Sequence, residues 1–462
     1  MVMVDLMVDR QQSGAAGKGV PAGFKLTEVG VIPEDWDYKY LGELGDIVRG
    51  GSPRPAGDPK YFEGDFIPWL TVASLTTIPD AQQVVMTTSS MLTELGSKHS
   101  RTLEKGTLII SNSGATLGVA KLLGMKCCAN DGVAAIINQR VGNKSFLIHY
   151  INTITKSLHD NIATGNGQPN LNTDLIRLIP VPFPNEQEQK KIADTLSDCD
   201  NFFLKLEKLI AKKQAIKTAT MQQLLTGKTR LPQFALREDG SVKGYKKSEL
   251  GEIPEDWDIS TYGQVFSFLS TSTNARSDLS DTGEYGYIHY GDIHTKWNNS
   301  LSLDSNTLPR ISSELVSSSF VEDGDIIMAD ASEDYSGIGK SIEIQGVRDK
   351  KIVAGLHTYL LRDVNNAFVD GFRGYLHCIR TVKSSMDRLA TGMKVFGVSK
   401  NNLKTIPIPV PPKEEQNAIA TILSDMDKEI QTLQQRLDKT RQLKQGMMQE
   451  LLTGKTRLME RS

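Results

Sequence analysis

Eight polar loops carry the side chains best suited to chemistry, and that chemistry is recognition of a charged, hydrogen-bonding partner. In the first half they are Arg49-Gly-Gly-Ser-Pro-Arg54, Ser97-Lys-His-Ser-Arg101, Ser111-Asn-Ser-Gly-Ala-Thr116 and Gly165-Asn-Gly-Gln-Pro-Asn170. In the second they are Ser270-Thr-Ser-Thr-Asn-Ala-Arg276, His294-Thr-Lys-Trp-Asn-Asn299, Ala329-Asp-Ala-Ser-Glu333 and Thr391-Gly-Met-Lys394. These are the donor types that read base edges and phosphates. Arg49, Arg54, Arg101 and Arg276 can each pair with guanine, and Asn112 or Gln168 with adenine. Ser52, Lys98 and Thr116 complete the candidate set in the first half, and Thr273, His294, Lys296, Ser332 and Lys394 in the second. Any one such loop is an ordinary solvated turn. Two such clusters at equivalent places in a repeat are less ordinary.

Bond-making chemistry finds no comparable support. Gly337-Ile-Gly-Lys-Ser341 resembles the tail of a phosphate-binding loop, but Asp334 stands where that pattern needs glycine. The following Ile342-Glu-Ile344 reads as strand, whereas a phosphate loop opens a helix. The seven histidines are scattered, and no H-x-x-x-H or C-x-x-C pair suggests a metal. G-x-S-x-G and G-x-G-x-x-G are absent, and no pair of carboxylates is singled out as acid and base. The expectation is a non-catalytic chain with no metal and no cofactor of its own. Cys127, Cys128, Cys199 and Cys378 form no disulfide framework, which fits a reducing cytoplasm. No run of about 18 apolar residues offers a membrane span. A net charge of −2 means that any basic face is local.

The loops need positioning, and the chain supplies it twice. PNEQEQKKIADTLSDCDNFFLKLEKLIAKKQAIKTATMQQLLTGKTRL, residues 184–231, returns at 411–458 without a gap, ending on an identical Leu-Leu-Thr-Gly-Lys-Thr-Arg-Leu. Each copy reads as a helix of about forty residues, roughly 60 Å long. Asn185 caps the first, with Glu188 completing a capping box; Pro411 and Pro412 suit the opening of the second. Ile192, Leu196, Cys199, Phe203, Leu206 and Ile210 fall at heptad spacing, matched by Ile419, Leu423, Met426, Ile430, Leu433 and Leu437. The seam weakens in the first copy to Ile216, Thr220 and Leu224, and resumes in the second at Leu443, Met447 and Leu451. The match predicts that the two helices pair with each other as a spacer.

A second repeat opens each half. Gly23 to Asp37 returns as Gly244 to Asp258 with an identical Ile-Pro-Glu-Asp-Trp core, whose Trp36 and Trp257 are expected to anchor by packing. Strand-like runs follow in matching order, notably Lys105–Ile110 against Asp323–Met328 and Val133–Asn138 against Gly355–Arg362. Helices are expected at 146–162 and 368–389, and Gly64–Leu75 and Gly283–His294 are each expected to be a strand leading into a loop. The predicted class is α+β, two globular domains of mixed short strands joined by two long helices in a pseudo-twofold repeat. The expected boundaries are a disordered leader 1–22, a domain 23–183, helix 184–231, linker 232–243, a domain 244–410 and helix 411–458. A 462-residue chain exceeds one ordinary domain, and 39% apolar content is ordinary for a globular protein.

With both repeats in view the chain resembles the specificity subunit of a type I restriction-modification system, from Gly23 to Leu458. The resemblance rests on the doubled I-P-E-D-W anchor, the P-x-P-x-x-x-E-Q entries (Pro182 to Gln189; Pro409 to Gln416) and the L-L-T-G-K-T-R-L exits. It implies two target recognition domains, each reading one half of a bipartite double-stranded DNA sequence, and an antiparallel coiled coil of spacer helices. It also implies two methyltransferase subunits docked on the helices, with restriction subunits joining them. S-adenosylmethionine, ATP and Mg would then belong to those partners, in a prokaryotic cytoplasm. Two other readings compete: a fusion that itself cuts or methylates, which lacks the motifs it needs, and a tandem protein-binding adaptor with no DNA target.

Overall fold

The computed structural model describes residues 20–114, 116–162, 170–333, 337–392 and 395–458. The candidates Gln168 and Lys394, and the leader up to residue 19, lie outside these. The chain divides into two compact units, one running to Leu209 and resuming at Leu433, the other Ile210–Thr432. Both divisions fall inside the two long helices, α1 (Glu186–Leu224) and α2 (Lys413–Leu451), each of 39 residues. Among the described residues no helix is long and apolar enough to cross a membrane.

In the first unit a five-stranded sheet has the order Asp46–Arg49, Val133–Ile137, Leu108–Ser111, Ala120–Leu123, Val84–Val85, antiparallel except for its last pair. A four-stranded sheet, Met91–Leu92, Ile67–Leu70, Cys127–Ala129 and Arg101–Leu103, accompanies it. The strand Leu108–Ser111 is buried throughout, as its unbroken apolar run requires. The second unit repeats the plan: Phe266–Leu269, Thr358–Asp363, Ile326–Ala329, Ser341–Gln345 and Ser300–Ser302 form its five-stranded sheet. Two expectations need correction. Short helices, Val72–Thr76 and Tyr290–Thr295, stand where the loops were expected at the ends of Gly64–Leu75 and Gly283–His294. The second of these starts where the His289 ring accepts from the Gly291 N–H. The helix expected from 368 is a 3₁₀ turn, Arg373–Cys378, before α-helix Arg380–Leu389. Arg373 is the reason: it donates to the Phe368 carbonyl and to Asp370, tying that backbone into a loop around its buried guanidinium.

The repeated motifs meet in each unit as one latch. Trp36 Nε1 donates to Glu188 Oε2 at 3.1 Å, and Arg457 bridges Glu188 and Asp35 through bonds of 2.5–2.9 Å. In the second unit Trp257 Nε1 donates to Glu415 Oε2 at 2.8 Å, and Arg230 bridges Glu415 and Asp256. The glutamine beside each glutamate spans the proline carbonyl ahead of the helix and a backbone N–H from the domain: Gln189 to Pro184 and Asn143, Gln416 to Pro411 and Val369. Asn185 does cap α1, accepting from the Glu188 N–H at 2.9 Å. The Glu188 carboxylate does not complete a capping box; the latch takes it. Within the first unit the α1 and α2 segments run antiparallel, with Arg441 on Glu207 at 2.6 Å and Lys444 on Asp200. The second unit does likewise through Lys213–Glu429 and Lys217–Asp427.

Each helix exit turns on a glycine, Gly227 (φ +68) or Gly454 (φ +70), pressed on the proline of the anchor. A Cβ on Gly227 would stand 2.4 Å from Pro254. Gly227→Ala is therefore expected to lose more than Gly240→Ala, which has φ +82 but open space around it. The left-handed backbone alone costs roughly 1–2 kcal/mol, so thermal unfolding of the two variants isolates the clash. Equal losses would refute the tight approach.

Candidate nucleic-acid interface

The first unit gathers four of the candidate residues around one that sequence reasoning missed, Asp131. Arg49, last residue of the strand Asp46–Arg49, donates from Nε to the Asp131 carbonyl at 2.6 Å. Arg101, first residue of its own strand, donates from Nε to the Arg49 carbonyl at 2.7 Å. Ser52 Oγ donates to Asp131 Oδ1 at 2.7 Å, and Arg54 reaches Oδ2 at 3.4 Å. The Ser52 bond, helped by the charges of Arg49 and Arg54, holds the Asp131 carboxyl below the usual carboxylate range despite partial burial. Asp131 sits in Asn130-Asp131-Gly132 between two strands, which reads as an ordinary turn; nothing local marks it.

Beside this cluster Asn112 directly follows the central strand. It is fully buried, and neither end of its carboxamide has a hydrogen-bond partner. The Oδ1 atoms of Asn130 and Asn170 are buried and unpartnered as well. Thr116 is exposed, its carbonyl accepting from Ser111 Oγ. Lys98 stands apart from the cluster, paired with Glu94 on its own short helix at 3.0 Å.

The second unit builds a different surface on the same frame. Three backbone bonds show the correspondence. Gly51 N–H to Ala129 O (2.9 Å) matches Ser272 to Ala354 (2.8 Å). Asn112 to Gly132 (2.9 Å) matches Asp330 to His357 (3.1 Å), and Leu171 to Asn112 (2.8 Å) matches Val398 to Asp330 (3.2 Å). Arg276 donates to Asp292 Oδ1 at 2.8 Å, and Lys296 lies 3.2 Å from the same oxygen. Burial opposes the Asp292 charge, but these two cations outweigh it and the carboxyl titrates low. Tyr290 packs against His289 (4.6 Å between centroids) and His357 (5.5 Å), with His294 at 6.3 Å. His357 has φ +59, uncommon for a non-glycine residue. Its Nδ1 lies 3.5 Å from Asp330, whose carboxyl is pushed up by burial. Thr273 is exposed, and Ser332 is buried. Asp292, Tyr290 and His357 were not legible as site residues, because the helix Tyr290–Thr295 and the distant segment at His357 meet only in the fold.

Of the spacer positions, Ile192, Leu196, Phe203, Leu206, Ile210, Ile419, Leu423 and Leu437 are buried. Met426, Ile430 and Leu433 are partly buried, while Ile216 and Leu443 are exposed. Among the described residues no group of three or more His, Cys, Asp or Glu side chains is arranged to hold a metal.

Comparison with known proteins agrees with this repeated plan. The type I restriction modification DNA specificity domain matches twice, at residues 33–218 and 254–441. A putative type I restriction enzyme MjaX specificity subunit from Methanocaldococcus jannaschii is 26% identical over 94% of this chain and 97% of its own length. The MjaVIII specificity subunit of the same organism is 24% identical over 92% and 94%. In fold, the chain is similar to the S subunit of a type I restriction-modification system from M. genitalium, with TM-score 0.56 at 14% identity, covering 94% and 98% of the two chains. The doubled domain match, spanning most of the chain, places this protein in the type I restriction-modification specificity subunit family, whose members recognise the DNA target.

Proposed function

We propose that each unit reads one half of a bipartite, asymmetric duplex sequence, and that the long helices set the gap between the half-sites. The observation that carries this is the pair of equivalent but chemically different loop clusters on one repeated frame. Arginines around Asp131 occupy one, and histidines, a tyrosine and Arg276 occupy the other. Identical frames with identical loops would read a palindrome; these loops differ at nearly every position. The helices also seat two methyltransferase subunits, through which restriction subunits join. S-adenosylmethionine, ATP and Mg act on those partners, and this chain supplies address rather than catalysis, in the cytoplasm.

Sequencing of modified sites in a host with and without this gene tests the reading. The expected result is one methylated motif made of two defined halves around a fixed unread gap. A continuous motif, or no change in methylation, would refute it. Matched four-residue insertions in α1 and α2 lengthen each by about 6 Å. At roughly 34 Å per DNA turn, the gap should grow by about two base pairs with both halves unchanged. An insertion mutant that keeps the original gap would show that helix length does not set it.

A further inference from the structure

We infer that the first unit reads at least one G·C base pair through its major-groove edge, Arg49 and Arg101 addressing the guanine and Asp131 the cytosine. The inference deepens the proposed DNA reading and rests on it.

The guanidinium groups are pinned in a particular way. Both Arg49 and Arg101 spend Nε on a backbone carbonyl, at 2.6 and 2.7 Å. Among the described residues the Nη atoms of neither have a partner in the chain, and both residues are exposed. A pinned Nε fixes the plane of the fork and turns its two Nη donors outward, so little rotamer freedom is left to lose on binding. Two parallel donors are what guanine O6 and N7 accept.

The carboxylate decides between bases and phosphates. A cluster built for the DNA backbone gains from every cation and loses from any fixed anion. Asp131 stands beside Arg49 and Arg54, with Arg101 held on the Arg49 carbonyl, and is 40% exposed. Its oxygens receive Ser52 and, at longer range, Arg54. Each carboxylate oxygen has two acceptor sites, so Asp131 can take a further donor. Cytosine presents one, its N4 amino group, beside the O6 and N7 acceptors of its paired guanine. Outward donors next to an outward acceptor are the complement of that edge. Facing phosphates, the same carboxylate would repel its ligand.

Arg54 has a different role. Its contact with Asp131 is long, and it screens the carboxylate without fixing its own fork. Asp131 therefore does two things: its carbonyl positions Arg49, and its carboxylate supplies the acceptor.

The test uses the complete complex with methyltransferase subunits, and its readout is the methylated motif by modification-site sequencing. The wild-type motif is expected to require a G·C pair in one half. Asp131→Ala and Arg101→Ala should relax discrimination in that same half by about tenfold or more, leaving the other half as it was. Asp131→Asn keeps the volume and a carbonyl acceptor for Ser52, so it carries the test if the alanine variant fails to fold; it should show the same relaxation, weaker in degree. A wild-type motif with no obligatory G·C pair overturns the inference. So does a set of variants whose discrimination is unchanged at every position. If the wild-type complex methylates with no sequence preference, the proposed function falls first and this inference with it.

Discussion

The expected result for Arg230→Met is a loss of about 3–5 kcal/mol from the second unit, the cost of leaving a buried charge without its partner. Arg230 is only 5% exposed and Glu415 2%. Methionine fills much the same volume but leaves Glu415 with the Trp257 N–H as its remaining latch contact. The equivalent change in the first unit, Arg457→Met, should cost less. Arg457 is 25% exposed and its partner Asp35 61%, so water takes over part of the lost interaction. Urea unfolding followed by hydrogen exchange in each unit separates the two. A loss under about 1 kcal/mol for Arg230→Met would show that the latch is held by packing alone.

The second large effect is acid lability of the first unit. His149 is 3% exposed, and its Nε2 is occupied by Gln83 at 2.7 Å and by Ser197 at 3.3 Å. Burial first, then the Lys444 charge, pushes its imidazole down to about 3. Asp200 lies 4.0 Å from Nδ1, but its charge is taken by Lys444. Lys121, buried against the carbonyls of Pro79, Asp80 and Gln82, adds a second cation nearby. With a Gln83 N–H donating into Nε2, the ring is the neutral Nδ1–H tautomer. The sign follows from linkage. The folded state refuses a proton that the unfolded chain accepts below its ordinary value of about 6.5. Stability is complete above that value and falls as pH drops toward 3, by up to about 1.4 kcal/mol per pH unit. Between pH 7 and 5, above the ordinary carboxylate range, the first unit should lose about 2 kcal/mol. His149→Gln, which keeps a hydrogen-bonding side chain without the titration, should flatten that slope. An unchanged slope in the variant would assign the lability elsewhere.

The latch explains why so much of the fold was legible. Ile-Pro-Glu-Asp-Trp, Glu-Gln and Thr-Gly-Lys-Thr-Arg-Leu recur because Trp, Glu, Asp, Arg and a positive-φ Gly meet in the same geometry twice, which admits few other residues. Strands such as Leu108–Ser111 and Ile326–Ala329 were legible from unbroken apolar runs. The short helices after Leu70 and Ile288 were not, since four to six residues carry too little periodicity to outvote their polar content. The same holds for the loop at Phe368, where a distant requirement, burial of Arg373, overrides local preference. In the first cluster Arg49, Ser52, Arg54 and Arg101 were visible as donor types. What joins them was not: Asp131 is about 80 residues from Arg49 in sequence, and only the fold brings its carbonyl within 2.6 Å of that guanidinium.

The latch also bears on how the chain is made. The second unit is one continuous stretch, and once Thr432 has left the ribosome nothing it needs is still missing. The first unit is begun earlier and finished later. Its Trp36 and Glu188 are synthesised long before Arg457, and its core waits for Leu451 and Leu452. During synthesis of more than 220 residues, from Ile210 to Thr432, the nascent first unit therefore carries an exposed apolar seat and an unpaired buried-type glutamate. The reading head encoded first is the last to close, and a premature stop in α2 beyond Thr432 leaves it open while its twin is whole.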